Sequence, residues 1–338
     1  MTRRRSAAAV EAAIGRLSPV EADSRRIREA ALSILRDAVG FDWYVWVLTD
    51  PTTAVGTDPL AETPDLGRLG HLVRLKYGAT VNRWTALADA ACIGPSADAA
   101  DPWLKEVRAQ GAVDVLSGVH RDQHGTWGFL DLWRNAAYDE DEVGLLRTVL
   151  PELTARLRRC RADEFAEPLR DKVPSGPSVL LLDDDLRVLG ATPSSTEVLR
   201  ALLPTAPDAR PVPASVFNVA AQLLASERGQ DSHEPSGRVH VPGYGLLTLR
   251  ASRVEPGGQI AVAIAPTTLA DRLDLFVRAH GLTAREADVV ASLATGADTA
   301  EVARLLFLSP HTVQDHLKAV FARTGTRSRR ELLARAAG

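Results

Sequence analysis

Cysteine is scarce in this chain: only Cys92 and Cys160 occur among 338 residues. Two thiols neither complete a zinc cluster nor staple a chain of this length, and they fit a reducing compartment. Lysine is scarcer than its partner cation, with 4 residues against 36 arginines. With abundant alanine, that bias reports a GC-rich coding sequence and says little about chemistry. No apolar run reaches the roughly 18 residues that a membrane-spanning helix needs. The Ala-rich start carries Arg3, Arg4 and Arg5, and Glu11 interrupts its apolar run too early for a secretory signal. A cytoplasmic protein with no membrane partner is expected. Also missing are a nucleophile–base pair, a Gly-rich phosphate loop and a metal-ligand cluster at meaningful spacing, so an enzyme is not expected.

What is present suffices for two or three domains with real cores, since 45% of the residues are hydrophobic. The 40 basic and 43 acidic residues leave a net charge of −3, which argues against a generic polyanion binder. The basic charge is instead concentrated. Residues 309–338 hold Lys318, Arg323, Arg327, Arg329, Arg330 and Arg335 against Asp315 and Glu331, a local balance of +4. Positive charge gathered in one segment of an acidic chain is the footprint of phosphate contact.

That segment closes a densely punctuated stretch, residues 283–338. Thr283 with Glu286, Asp298 with Glu301, and Ser328 with Glu331 have capping-box spacing, in which each side chain satisfies an orphan backbone N–H of the other. Ser309 reads as a further N-cap, with Pro310 where a missing N–H costs nothing. Gly296 and Gly325 stand where helices stop. Four short helices are expected. In the third, about 309–324, Val313, Leu317 and Val320 recur at i, i+4, i+7 as a buried stripe, while Gln314, Asp315 and Lys318 share an outward polar face. The helix before it, about 298–306, has a stripe of Val302, Ala303 and Leu306, and the connection around Phe307 and Leu308 is only a few residues long. Two short helices, a tight turn and a polar face on the second describe a DNA-binding helix-turn-helix. A small helical bundle that binds protein has the same periodicity; the local charge favours DNA.

Leu282-Thr283-x-Arg285-Glu286, Glu301-Val302-Ala303 and Ser309-x-x-Thr312-Val313-x-x-His316-Leu317 resemble the LuxR-type (NarL/FixJ-type) helix-turn-helix, from about 278 to the C-terminus. The resemblance implies a transcriptional regulator with duplex DNA as partner. It implies that Ser309 and Thr312 face phosphates, and that Gln314, Asp315 and Lys318 face base edges. His311, His316, Arg323, Arg327 and Arg329 complete the expected DNA-binding set. The last helix is implied to pair two protomers, and RNA polymerase is admitted as a further partner. The chain departs from the family at Gln314, where Lys is frequent, and at Asp315, where a neutral residue is usual. Gln reads adenine and Asp accepts from cytosine N4, but Asp is also repelled by phosphate.

Upstream, residues 8–38 read as helix in two pieces broken near Pro19. Residues 42–48 read as a strand and 51–67 as a Gly/Pro/Thr-rich loop, with helices around 68–76 and 101–110. A hairpin follows, with strands at 113–119 and 126–133 about a turn at 122–125. A helix runs from 139 to about 163, kinked or broken at Pro151. The phrase Asp122-x-x-Gly125-x-Trp127-Gly128-x-Leu130-x-Leu132 is similar to the last hairpin of GAF domains, and the similarity covers about 25–160. It implies a small-molecule sensor or a dimerisation module. All six Trp (43, 46, 84, 103, 127 and 133) lie here; they line a pocket or fill the core, and core is the commoner use. His120 and His124 flank the turn with Asp122, too few ligands for a metal. Cys92 is followed by Ile93, where GAF-type bilin attachment has His.

Residues 179–182 and 186–189 read as strands, 191–199 and 215–227 as helices, and 238–241, 246–253 and 259–265 as a meander. The pattern resembles a PAS domain over about 177–266. Asp183-Asp184-Asp185 also suits a phosphate-receiver domain, but residues 186–266 contain no Lys and only Asp208 and Asp231, both in loops, so that reading fails. The segment lacks a Cys for a flavin adduct, and His233 and His240 are not assigned to haem. No cofactor is assigned anywhere.

The expected architecture is an α+β multidomain chain. It comprises a GAF-like sensor domain (1–165), a linker (166–178), a PAS-like domain (179–266), a connecting helix (267–281) and a four-helix LuxR-type helix-turn-helix domain (282–338). The expected function is a sequence-specific DNA-binding transcriptional regulator, acting as a homodimer and modulated by its sensor domains through an effector of unknown identity. Two rivals stand: a protein-interaction scaffold with a degenerate helix-turn-helix, and an enzyme with a DNA-binding tail.

Overall fold

The computed structural model describes residues 6–17, 23–94, 100–166, 174–203 and 213–337. Arg3–Arg5, the break near Pro19, residues 167–173 of the linker and Asp208 lie outside the described residues. The fold is α+β, and it divides into two compact units: Met1–Leu157 with Asp171–Pro266, and Arg158–Arg170 with Thr267–Gly338.

The first unit holds two antiparallel five-stranded sheets. One is built from β1 (Trp43–Thr49), β2 (Gly56–Glu62), β3 (Ala91–Cys92), β4 (Asp114–Asp122) and β5 (Gly125–Arg134), in the order β2-β1-β5-β4-β3. The other is built from β6 (Ser178–Leu182), β7 (Val188–Ala191), β8 (Ser236–Val241), β9 (Gly245–Arg253) and β10 (Ile260–Pro266), in the order β7-β6-β10-β9-β8. The second sheet therefore repeats the strand order of the first.

Residues 51–67, read from the sequence as loop, contain β2. Pro59 disguised it, because proline cannot donate to a ladder. The strand tolerates Pro59 because it is the outermost of its sheet, paired only with β1. Strand β3 is two residues long and leaves no periodic signal.

The hairpin of β4 and β5 explains its own motif. Asp122 Oδ1 accepts from the backbone N–H of His124 (2.8 Å) and from Trp127 Nε1 (2.9 Å). A Cβ at Gly125 would stand 2.4 Å from the Pro51 carbonyl oxygen, and one at Gly128 would stand 2.8 Å from that of Val47. Only glycine lets these backbones approach so closely. His120 is wholly buried, stacked on Trp46 with ring centroids 5.2 Å apart, and burial lowers its pKa to about 3. Helix α5 (Glu140–Asp163), which follows α1 (Ala7–Gly15), α2 (Ser24–Val39), α3 (Leu69–Tyr77) and α4 (Pro102–Ala109), passes through Pro151 without a break.

The tryptophans fill the core: Trp46, Trp84, Trp103, Trp127 and Trp133 are buried, and Trp43 is partly so. Among them the Lys76 ammonium lies 3.0 Å from Asp131 Oδ2 and 3.7 Å from the Trp103 ring centroid.

One continuous apolar cluster joins the two sheets. It runs from Val45, Val47, Phe129 and Trp133 in the first, through α3 (Leu69–Tyr77), α6 (Pro193–Leu202) and α7 (Ala214–Glu227), to Leu180, Val239 and Val262 in the second. Polar contacts cross the same seam. Arg238 holds Asp50 with Nε (2.6 Å), Nη2 (2.8 Å) and its backbone N–H (2.9 Å), and the pair is buried. Burial opposes ionisation of Asp50, but these bonds outweigh it and hold its carboxyl below the usual range. Thr53 Oγ1 donates to the Ser236 carbonyl at 2.6 Å, and Ser215 Oγ donates to that of Thr57.

Candidate nucleic-acid interface

Besides the last residues of α5 and the short 3-10 helix Glu164–Ala166, the second unit carries five α-helices among its described residues: α8 (Leu269–Ala279), α9 (Ala284–Ala294), α10 (Thr299–Leu305), α11 (Pro310–Thr324) and α12 (Arg329–Ala337). Their starts are chemically explicit. Thr283 and Glu286 form a complete capping box: Thr283 Oγ1 accepts from the Glu286 N–H (3.3 Å), and Glu286 Oε2 accepts from the Thr283 N–H (2.7 Å). Asp298 accepts from the Glu301 N–H at 2.9 Å, and Ser309 from the Thr312 N–H at 3.0 Å. Ser328 accepts from the Glu331 N–H at 3.1 Å, but Glu331 reaches back one residue further than a capping box requires, to the N–H of Arg327 at 2.8 Å. Gly325 ends α11 in the left-handed conformation, with φ 65°.

These ends orient a core. Val313, Leu317 and Val320 on α11 are buried, as are Val302 and Ala303 on α10, Val289, Val290 and Leu293 on α9, and Leu332 and Ala336 on α12. Leu306 is only partly buried, because α10 ends before it and it serves as the C-cap. The turn is closed by the Leu308 N–H donating to the Ala303 carbonyl at 2.8 Å. On α8, Leu275, Phe276 and Ala279 are buried while Leu269 is exposed.

With Val313, Leu317 and Val320 turned inward, α11 presents His311, Gln314, Asp315 and Lys318 outward, all exposed. Asp315 lies between two neighbours, 3.1 Å from His311 Nδ1 and 3.2 Å from Lys318 Nζ. Gln314 Nε2 lies 3.5 Å from Thr299 Oγ1 on α10. Ser309 is exposed and Thr312 partly so, their hydroxyls 2.8 Å apart at the helix start. Arg327 is exposed and His316 partly buried.

Two residues of the expected DNA-binding set are engaged by the protein itself. Arg323 Nη1 donates to the Gly281 carbonyl at 2.9 Å, and its Nε is 3.4 Å from Glu286, the buried acid of the capping box. Arg329 Nη2 donates to Thr299 Oγ1 at 2.7 Å, tying α12 to α10. The feature that sequence reasoning passed over is Phe307. The sequence places it in the short connection with Leu308, and no periodic pattern there tells which way its ring faces. Here it is 95% exposed with φ 55°.

Two short helices at a tight turn, the second with a buried stripe and an open polar face, define a helix-turn-helix domain. Residues 280–336 match the sequence profile described as "Bacterial regulatory proteins, luxR family", so this segment is a LuxR-family DNA-binding domain. No curated protein matches the chain. Among solved structures, Escherichia coli SdiA is similar at 12% identity and a TM-score of 0.36, covering 98% of this chain and 95% of that one. SdiA in complex with octanoyl-rac-glycerol is similar at 11% identity and a TM-score of 0.34, covering 98% and 94%. The bacteriophytochrome RpBphP3 from R. palustris is similar at 15% identity and a TM-score of 0.30, covering 76% and 61%. Among the described residues no helix is long and apolar enough to cross a membrane.

Proposed function

We propose that the chain is a sequence-specific transcriptional regulator that binds duplex DNA as a homodimer through α11. The observation that carries this reading is the outward face of Gln314, Asp315 and Lys318 opposite the buried Val313, Leu317 and Val320, in a segment matching the luxR family. Ser309, His311 and Thr312 stand at the start of α11, the end from which a recognition helix meets base edges and phosphates. Lys318 meets a phosphate or a base edge, Gln314 reads adenine, and Asp315 reads cytosine N4.

The GAF-like (1–165) and PAS-like (179–266) segments act as a sensor, with the linker (166–178) and the connecting helix (267–281) joining the parts. The shared core and the Asp50–Arg238 pair support their acting as one body rather than two. An effector bound there adjusts the spacing of the two recognition helices, in a cytoplasmic protein whose further partner is RNA polymerase. No catalytic role is assigned.

Selection of duplexes from a random pool by the full chain, at two salt concentrations, tests the reading. Enrichment of a two-fold-symmetric motif is expected, with half-sites one helical turn or a multiple apart. Absence of binding at low salt overturns it in favour of a protein-interaction scaffold, which Asp315 on the outward face would suit.

A further inference from the structure

Four non-glycine residues among the described ones have positive φ: Ala54, Asn82, Leu186 and Phe307. The left-handed region is costly for any residue with a Cβ, so each case needs an offset. Ala54 and Leu186 have one, because they are 3% and 2% exposed within the core. Asn82 is a residue type that tolerates this region, and its side-chain amide donates to the Ala91 carbonyl at 2.9 Å. Phe307 has neither. It combines a backbone state that glycine or asparagine would adopt more cheaply with the most water-exposed large apolar side chain in the described structure. Both costs are carried by the folded chain alone; covering the ring would recover the exposure cost and so offset the backbone one.

The position indicates what covers it. Phe307 lies two residues before Ser309, which caps the start of α11, with the exposed Arg304 three residues before it in the chain and the exposed His311 four after. In a helix-turn-helix the start of the second helix enters the major groove, so the turn before it meets the groove's edge. The local balance of +4 over 309–338 opposes a second copy of the same surface and favours a polyanion.

Resting on the regulator reading above, we propose that Phe307 is an apolar DNA contact. It packs on the deoxyribose and thymine-methyl surface at the edge of the groove that α11 enters. The contact adds affinity without adding charge, and favours thymine at the flank of each half-site.

The test is binding of Phe307→Gly and Phe307→Asn to the duplex that the wild-type chain enriches. Each should bind about tenfold more weakly at fixed salt, the scale expected for uncovering part of an aromatic ring. The slope of log affinity against log salt should not change, since a phenyl ring displaces no counterion. Neither variant should melt at a lower temperature, because both relax the backbone. Retained affinity in both variants overturns the proposal and leaves Phe307 to a protein partner. A loss confined to a variant with a lowered melting temperature overturns it too, because the fold then accounts for the loss. A wild-type chain that enriches no duplex overturns the regulator reading and this contact with it.

Discussion

Lys318 and Arg323 both belong to the expected DNA-binding set, yet their contacts differ. Among the described residues Lys318 Nζ is held only by an ion pair with Asp315, and the two side chains are 75% and 52% exposed. Such a pair contributes about 0–0.5 kcal/mol to stability. Arg323 instead hydrogen-bonds the Gly281 carbonyl and faces Glu286, whose side chain is 5% exposed and caps α9. Lys318→Ala should therefore leave unfolding by urea unchanged within about 0.5 kcal/mol. If Lys318 meets a phosphate, the variant lowers the salt slope of DNA binding by about 0.9, so its affinity relative to wild type shifts about 3.5-fold between roughly 50 and 200 mM salt. If it meets a base, specificity relaxes at one position instead. Arg323→Ala should cost about 1–2 kcal/mol of stability, a value discounted because its side chain is 47% exposed, and should leave the salt slope alone. Fluorescence anisotropy on the enriched duplex at several salt concentrations, beside urea denaturation, measures all of these quantities. A salt slope that falls for Arg323→Ala and a stability that falls for Lys318→Ala would refute the division.

Thr283→Ala removes one half of the capping box and should destabilise the second unit by about 1 kcal/mol in urea denaturation, with Thr283→Asn restoring most of it. Arg238→Met leaves the Asp50 carboxylate buried without its partner and should cost about 3–5 kcal/mol in the first unit, seen as a lower midpoint of thermal unfolding. Because the folded pKa of Asp50 is depressed, its stabilisation is complete above the ordinary carboxylate pKa of about 4 and is lost as pH falls through the lower folded value. The stability gap between wild type and Asp50→Asn should thus close only in strong acid. His120 is also depressed, to about 3, by burial and then by Arg28. Its neutral form is fully compatible with folding above the ordinary histidine pKa of about 6.5, and stability drains away from there down to about pH 3. His120→Phe, which keeps a ring against Trp46, should flatten that part of the stability–pH curve.

The second unit was the most legible part of the chain, and the reason is distance. Capping at Thr283, Asp298 and Ser309 joins residues three apart, and the Val313–Leu317–Val320 stripe is set by one helix's own period, so both are written in short windows. The β4–β5 hairpin was legible on the same ground, since Asp122 meets His124 and Trp127 within five residues. Strand β2 was not, because what permits Pro59 is an edge position that only the assembled sheet defines. Nor could a linear reading show that two sheets joined by a Pro-rich segment share one core, when the pair that crosses the seam, Asp50 with Arg238, is 188 residues apart. Arg323 turning back to Gly281, 42 residues away, and Phe307 turning out from a short connection belong to the same class. Local periodicity and end chemistry decided which elements form and which face of α11 stays polar. Only the packing of distant segments decided which arginines remain open to a partner and which aromatic is left in water.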